Sequence, residues 1–157
     1  MRIDIGGLAR SFTWAARGFC MGLRERNFRI HLTAAFYVTA AGYLADFSRG
    51  ELAVLCLCFA LVMTMELVNT AVETLCDRVT SKRDAMIRDA KDIAAGAVLT
   101  AALFSIAVGL ILFANPTSIH AILDKLQQYI WIDVALAASV PVSIAFIFAV
   151  EQKGEHK

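Results

Sequence analysis

Four stretches of this chain are apolar over the length a helix needs to cross a bilayer: residues 28–46, 51–75, 93–114 and 129–150. A hydrocarbon core of about 30 Å takes roughly 20 helical residues. Inside it every backbone N–H and C=O must be satisfied internally, which leaves the helix as the form open to single apolar stretches of this length. The chain is therefore expected to be an all-α integral membrane protein with four transmembrane helices. Composition agrees, since 59% of the 157 residues are hydrophobic and the mean hydropathy is +0.63, too apolar for an ordinary soluble domain of this size. Residues 1–27 lack the basic stretch, apolar run and small-residue cleavage site of a secretory leader, so no removal is expected.

The formal charge of +1 hides an uneven distribution. Arg2, Arg10, Arg17, Arg24, Arg26 and Arg29 precede or open the first apolar stretch. Arg78, Lys82, Arg83, Arg88 and Lys91 lie between the second and third, and Lys153 and Lys157 follow the fourth. The other two connections carry only Arg49 and Lys125. Basic residues concentrate on the cytoplasmic side, so both termini and the 77–92 loop are expected in the cytoplasm, and no nucleic-acid partner is expected. Cys20, Cys56, Cys58 and Cys76 make no metal pattern, because Cys56 and Cys58 point to opposite sides of a helix. They are expected to act as apolar filler rather than as disulfides.

Residues 8–24, LARSFTWAARGFCMGLR, place Leu8, Phe12, Ala15, Ala16, Phe19 and Leu23 at helical spacing with arginines between them. That pattern predicts an amphipathic helix on the inner membrane face or packed under the bundle. The turn DFSRGE, 46–51, makes the first two spans an antiparallel hairpin. The segment AAGAVLTAA, 94–102, lets helix backbones approach closely in lipid, and Asn115 and Pro116 end the third span.

Directly after the apolar run 52–64 comes MELVNTAVETLCD, residues 65–77. At about 100° per residue, Glu66, Asn69, Glu73 and Asp77 fall within an arc of roughly 80°. Thr70 lies beside them, and the stripe runs on the order of 16 Å towards the charged loop. Asp77 alone could be the solvated end of a helix. Glu66 lies deeper, and an ionisable residue within a span usually faces a bundle interior, a partner or a cavity. A cation transporter would continue this path to the other side, yet 52–63 offers no charged group and 103–114 only Ser105, leaving Asp133 as the residue that keeps transport open; a non-catalytic membrane protein is the other alternative. Glu25 at the entrance to the first span, and Lys91 with Asp92 at the entrance to the third, can join the stripe. Converging carboxylates suit a hard cation such as Mg²⁺, which shares its oxygen ligands with phosphates, and Lys91, Arg83 and Arg24 could neutralise phosphate oxygens. The sequence contains neither GxxxxGK[ST] nor the HRD and DFG set of protein kinases.

ERNFRIHL at 25–32, ELVNTAVETLCD at 66–77 and AKDIAAGAVL at 90–99, in this order and spacing, closely resemble the prokaryotic diacylglycerol kinase family over roughly residues 8–115. The resemblance implies a homotrimer of three-span subunits, each with a surface helix, that transfers the γ-phosphate of Mg-ATP to a lipid alcohol at the cytoplasmic face of the bacterial membrane. Carried over position by position, Glu66 resembles the catalytic base and a contact of the lipid substrate, and Asn69 the active-site amide. Glu25 and Glu73 resemble the carboxylates that hold Mg²⁺ on the ATP phosphates. Lys91 and Asp92 fall on the nucleotide-contacting pair, Trp14 near an aromatic that contacts nucleotide, Lys82, Arg83 and Asp84 near a loop that does the same, and Arg10 near a lipid contact. NFRIHL and NTAVE look more like the branch that phosphorylates undecaprenol than the branch that favours diacylglycerol, which stays the alternative acceptor. His31, His120 and His156 are expected to be non-catalytic.

The chain departs from the family pattern after LILFANP. Residues 1–116 are expected to form the kinase core, and 117–157 a polar connection at 117–128 with an extra transmembrane helix. In that helix Pro141 is expected to introduce a kink, with Ser139 and Ser143 able to satisfy the freed backbone groups. Tyr129 and Trp131 suit an interface anchor, and Asp133 a solvated helix end.

Overall fold

The structure, a computed structural model, describes residues 5–79 and 84–149, with the side chain of Ile5 left aside. The described residues form six helices and no strand: α1 (Ile5–Gly22), α2 (Arg26–Leu44), α3 (Arg49–Val79), α4 (Ala85–Phe113), α5 (Pro116–Gln128) and α6 (Ile130–Phe148). Lys82 and Arg83 lie outside the described residues, as do Arg2, Lys153, His156 and Lys157.

Three helices, α3, α4 and α6, are long and apolar enough to cross a membrane. At about 1.5 Å per residue, the 31 residues of α3 reach roughly 46 Å. The excess over a bilayer core carries its polar end beyond the hydrocarbon, and helix accounts for much of the expected 78–92 loop. Asp84 caps α4, its carboxylate accepting from Met86 N at 2.8 Å and Ile87 N at 3.2 Å. The expected first span, 28–46, is also helical, but α2 is not among those three, because it opens on Arg26, Asn27, Arg29 and His31. Several of its polar groups are satisfied within the protein rather than by solvent, including Arg29, Thr33 and Tyr37.

The α2–α3 turn holds its shape by two devices. Asp46 adopts a left-handed φ of 56°, a conformation short polar side chains tolerate. Ser48 and Glu51 then form a capping box: the Glu51 carboxylate accepts from Ser48 N at 2.8 Å, and Ser48 Oγ accepts from Glu51 N at 3.3 Å. Around the turn, buried Ala45, Phe47 and Leu55 collect Val38, Leu52, Phe59, Leu112, Phe113 and Ile122. Phe47 and Phe113 meet at a centroid distance of 4.7 Å.

The expected polar connection at 117–128 is itself a helix. Asn115 caps α5 through Thr117 N at 3.0 Å with Pro116 in the first turn, and Lys125 ties α5 to Asp46 and to Tyr43 O. α6 continues across Pro141 as one helix. Ser139 and Ser143 do not serve the backbone freed by the proline. Their hydroxyls meet the Tyr37 hydroxyl at 2.9 and 3.0 Å, and Ser139 Oγ donates to Leu136 O. The outward faces of α4 and α6 are apolar and bare of protein, with Phe104, Leu110, Ile111, Ile130 and Val134 all exposed, as lipid-facing helices require.

Candidate active site

The site is built where the corner between α1 and α2 meets α3. Phe28, fully buried, packs edge-on against Phe19 at a centroid distance of 5.4 Å. Gly22 lies against the Leu67 side chain so closely that a Cβ there would collide with it. Because Leu67 adjoins Glu66, these contacts fix how the start of α2 faces the acidic stripe of α3.

Glu66 is 3% exposed and Asn69 7%, so both lie inside the protein although Glu66 is ionisable. The Asn27 side chain lies within hydrogen-bonding reach of the Glu66 carboxylate, and the charges acting on that carboxylate are those of Glu73 and Glu25. Asn69 Nδ2 donates to Glu73 Oε1 at 2.9 Å, whereas the buried Asn69 Oδ1 has no donor among the described residues. The Thr70 hydroxyl donates to Glu66 O at 3.0 Å, which leaves it an acceptor only towards the site. Helical spacing therefore grades the site from a buried carboxylate at Glu66 to an exposed one at Glu73.

Of the other residues picked from the sequence, Glu25 stands at the N-cap of α2, beside the cluster. Lys91 of α4 pairs with Asp77 and also lies within electrostatic reach of Glu73, which brings a cation to the outer end of the stripe. Asp92 is exposed and pairs with Arg88 at 3.8 Å, an exposed i,i+4 contact worth little. Asp84 serves as the α4 cap, and Trp14 and Arg10 stand exposed on α1. Asn27 was missed by sequence reasoning. Nothing local in the sequence flags it, because the carboxylate it faces lies on another helix. Asp133, in the first turn of α6, is exposed and far in sequence from this cluster.

Among the described residues, no group of three or more His, Cys, Asp or Glu could hold a metal ion by itself. Glu25, Glu73 and the donor-less Asn69 Oδ1 offer oxygen ligands but an incomplete set. That fits Mg²⁺, which usually takes one or two carboxylates and completes its shell with waters and phosphates.

The family model described as prokaryotic diacylglycerol kinase matches residues 13–113, ending at the last residue of α4. The undecaprenol kinase of Bacillus subtilis is 37% identical over 113 residues, covering 71% of this chain and 92% of that protein. A diacylglycerol kinase of Synechocystis is 39% identical over 106 residues, covering 67% of this chain and 60% of its own. That of Pseudomonas aeruginosa is 32% identical over 89 residues, 56% of this chain and 72% of its own. No solved structure matches the chain.

Proposed function

This chain belongs to the prokaryotic diacylglycerol kinase family and is a multi-pass membrane lipid kinase; from that footing we propose that it transfers the γ-phosphate of ATP to undecaprenol. The observation that carries the site assignment is the convergence of Glu25, Asn27, Glu66, Asn69 and Glu73, from two helices, on one end of the bundle. In this reading the lipid hydroxyl attacks the γ-phosphorus in line, the new O–P bond forms as the bond to the β-phosphate oxygen breaks, and ADP leaves. Glu66 takes the hydroxyl proton. Asn27 and Asn69 hold the two carboxylates in register.

Glu25 and Glu73 would hold Mg²⁺, which neutralises charge on the transferring phosphoryl group. Lys91 and Asp92, with Trp14, Lys82, Arg83 and Asp84, contact the nucleotide, and Arg10 the lipid. The reading places the site at the cytoplasmic face of the bacterial inner membrane with both termini inside, and takes the active form as a homotrimer. Residues 1–116 form the kinase core and 117–157 an appended unit. The preference for undecaprenol is supported by the Bacillus relative, which matches over most of its own length, while the two diacylglycerol kinases make the competing acceptor specific.

The test is transfer of labelled γ-phosphate from Mg-ATP by the purified protein in mixed micelles, with undecaprenol and diacylglycerol side by side. Faster turnover of undecaprenol is expected. Faster turnover of diacylglycerol would reassign the acceptor, and transfer to neither would sink the assignment.

A further inference from the structure

The family match stops at Phe113, yet the helix beyond it is bound to the part of the molecule that carries Glu25. α6 runs antiparallel to α2. Tyr37 meets Ser139 and Ser143 in the middle of α6, and about two turns back along α2, Arg29 meets the C-terminal end of α6, its Nη1 donating to Phe146 O at 3.1 Å and Ala149 O at 2.6 Å. A helix cannot satisfy its own last carbonyls, and they carry the negative end of its dipole, so a guanidinium is favoured there. Arg29 is 9% exposed, and its Nη2 also reaches Arg24 O at 3.5 Å while its backbone N–H donates to Glu25 O at 3.2 Å. One side chain thus joins the end of α6 to the carbonyl just ahead of Glu25. A buried charge keeps its place only while its acceptors stay, and among the described residues the two nearer ones belong to α6.

We propose that α6 braces the α1–α2 corner, with Arg29 as the positioning residue, so that the C-terminal helix sets how Glu25 and Asn27 are presented to Glu66 and to the nucleotide. The inference rests on the site assignment above, and its test separates the two. It uses the full chain carrying Arg29→Gln, Arg29→Lys, Tyr37→Phe or the double change Ser139→Ala/Ser143→Ala. One measurement is steady-state kinetics with Mg-ATP and lipid varied in turn. The other is amide hydrogen exchange over residues 22–29 without substrates.

Arg29→Gln should raise the KM for Mg-ATP about tenfold with the lipid KM within about twofold, as expected of a misplaced positioning group. Arg29→Lys should recover part of the loss. Tyr37→Phe and the double serine variant, which leave the corner itself unchanged, should move the Mg-ATP KM the same way by about two- to threefold, since each loses both hydrogen bonds between Tyr37 and the serines, and should speed exchange over 22–29. A fall in kcat with both KM values unchanged would mean a merely structural role and would overturn the proposal. So would unchanged exchange in the serine variant. Exchange needs no turnover, so a chain that phosphorylates no lipid would defeat the functional reading while leaving the brace to be judged on exchange alone.

Discussion

Glu66 is a carboxylate kept at 3% exposure with two further carboxylates acting on it, an arrangement that costs stability and has no packing purpose. Glu66→Gln keeps the shape and can still accept from Asn27, so it should fold as the parent does. Turnover should fall by about 10²–10⁴, the usual share of a general base, measured by phosphate transfer alongside a detergent-phase melting curve. Wild-type turnover in this variant would remove Glu66 as base. Gly22→Ala acts differently, because the new Cβ meets only the terminal δ-methyl of Leu67, which can turn aside. With the helix preference of Ala over Gly offsetting the contact, stability should change by less than about 1 kcal/mol, read as a nearly constant melting temperature, and a large fall would mean that Leu67 is locked in place. The acidic stripe was legible in the sequence because it is local: one helix, one face, a fixed angular step. Asn27 was not, because its partner lies on another helix and an amide carries no charge pattern to flag it.

At the scale of elements, helix ends were set by short-range chemistry that the apolar pattern does not encode. The stretches 51–75 and 93–114 marked the apolar centres of α3 and α4, but the helices run on as Arg49–Val79 and Ala85–Phe113, since charged residues at a membrane surface are compatible with helix. Ser48 and Glu51 start α3 with a reciprocal cap, and Ser48→Ala should cost about 1 kcal/mol of stability, visible as a lower melting temperature with turnover per folded enzyme unchanged. A loss of turnover instead would tie this turn to the site. The docking of α6 on α2 was illegible for a physical reason: Arg29 binds main-chain carbonyls, which every residue possesses, and the Tyr37 contacts join positions more than a hundred residues apart.

Across the whole molecule the distribution of polarity has two orders of strength. The outward faces of α4 and α6 are exposed apolar surface of the single chain, so a charge placed there should act on membrane insertion rather than on catalysis. Phe104→Arg, at an exposed position within α4, should raise the apparent insertion cost by about 2.5–3.5 kcal/mol if it reaches the bilayer centre. The acidic cluster is held by protein contacts, and among the described residues no group of three or more His, Cys, Asp or Glu could hold a cation unaided. From this follows an expectation about metal. A ligand stabilises a native state only to the extent that it binds that state, so Mg²⁺ alone should barely move the melting temperature, and a chelator should abolish phosphate transfer while leaving that temperature where it was. Mg²⁺ together with a non-hydrolysable ATP analogue should raise it, because in the proposed mechanism the phosphates would complete a shell that Glu25 and Glu73 would only begin. A large shift with Mg²⁺ alone would mean that the protein holds a complete metal site, and Glu25→Ala and Glu73→Ala would then show whether these two carboxylates belong to it.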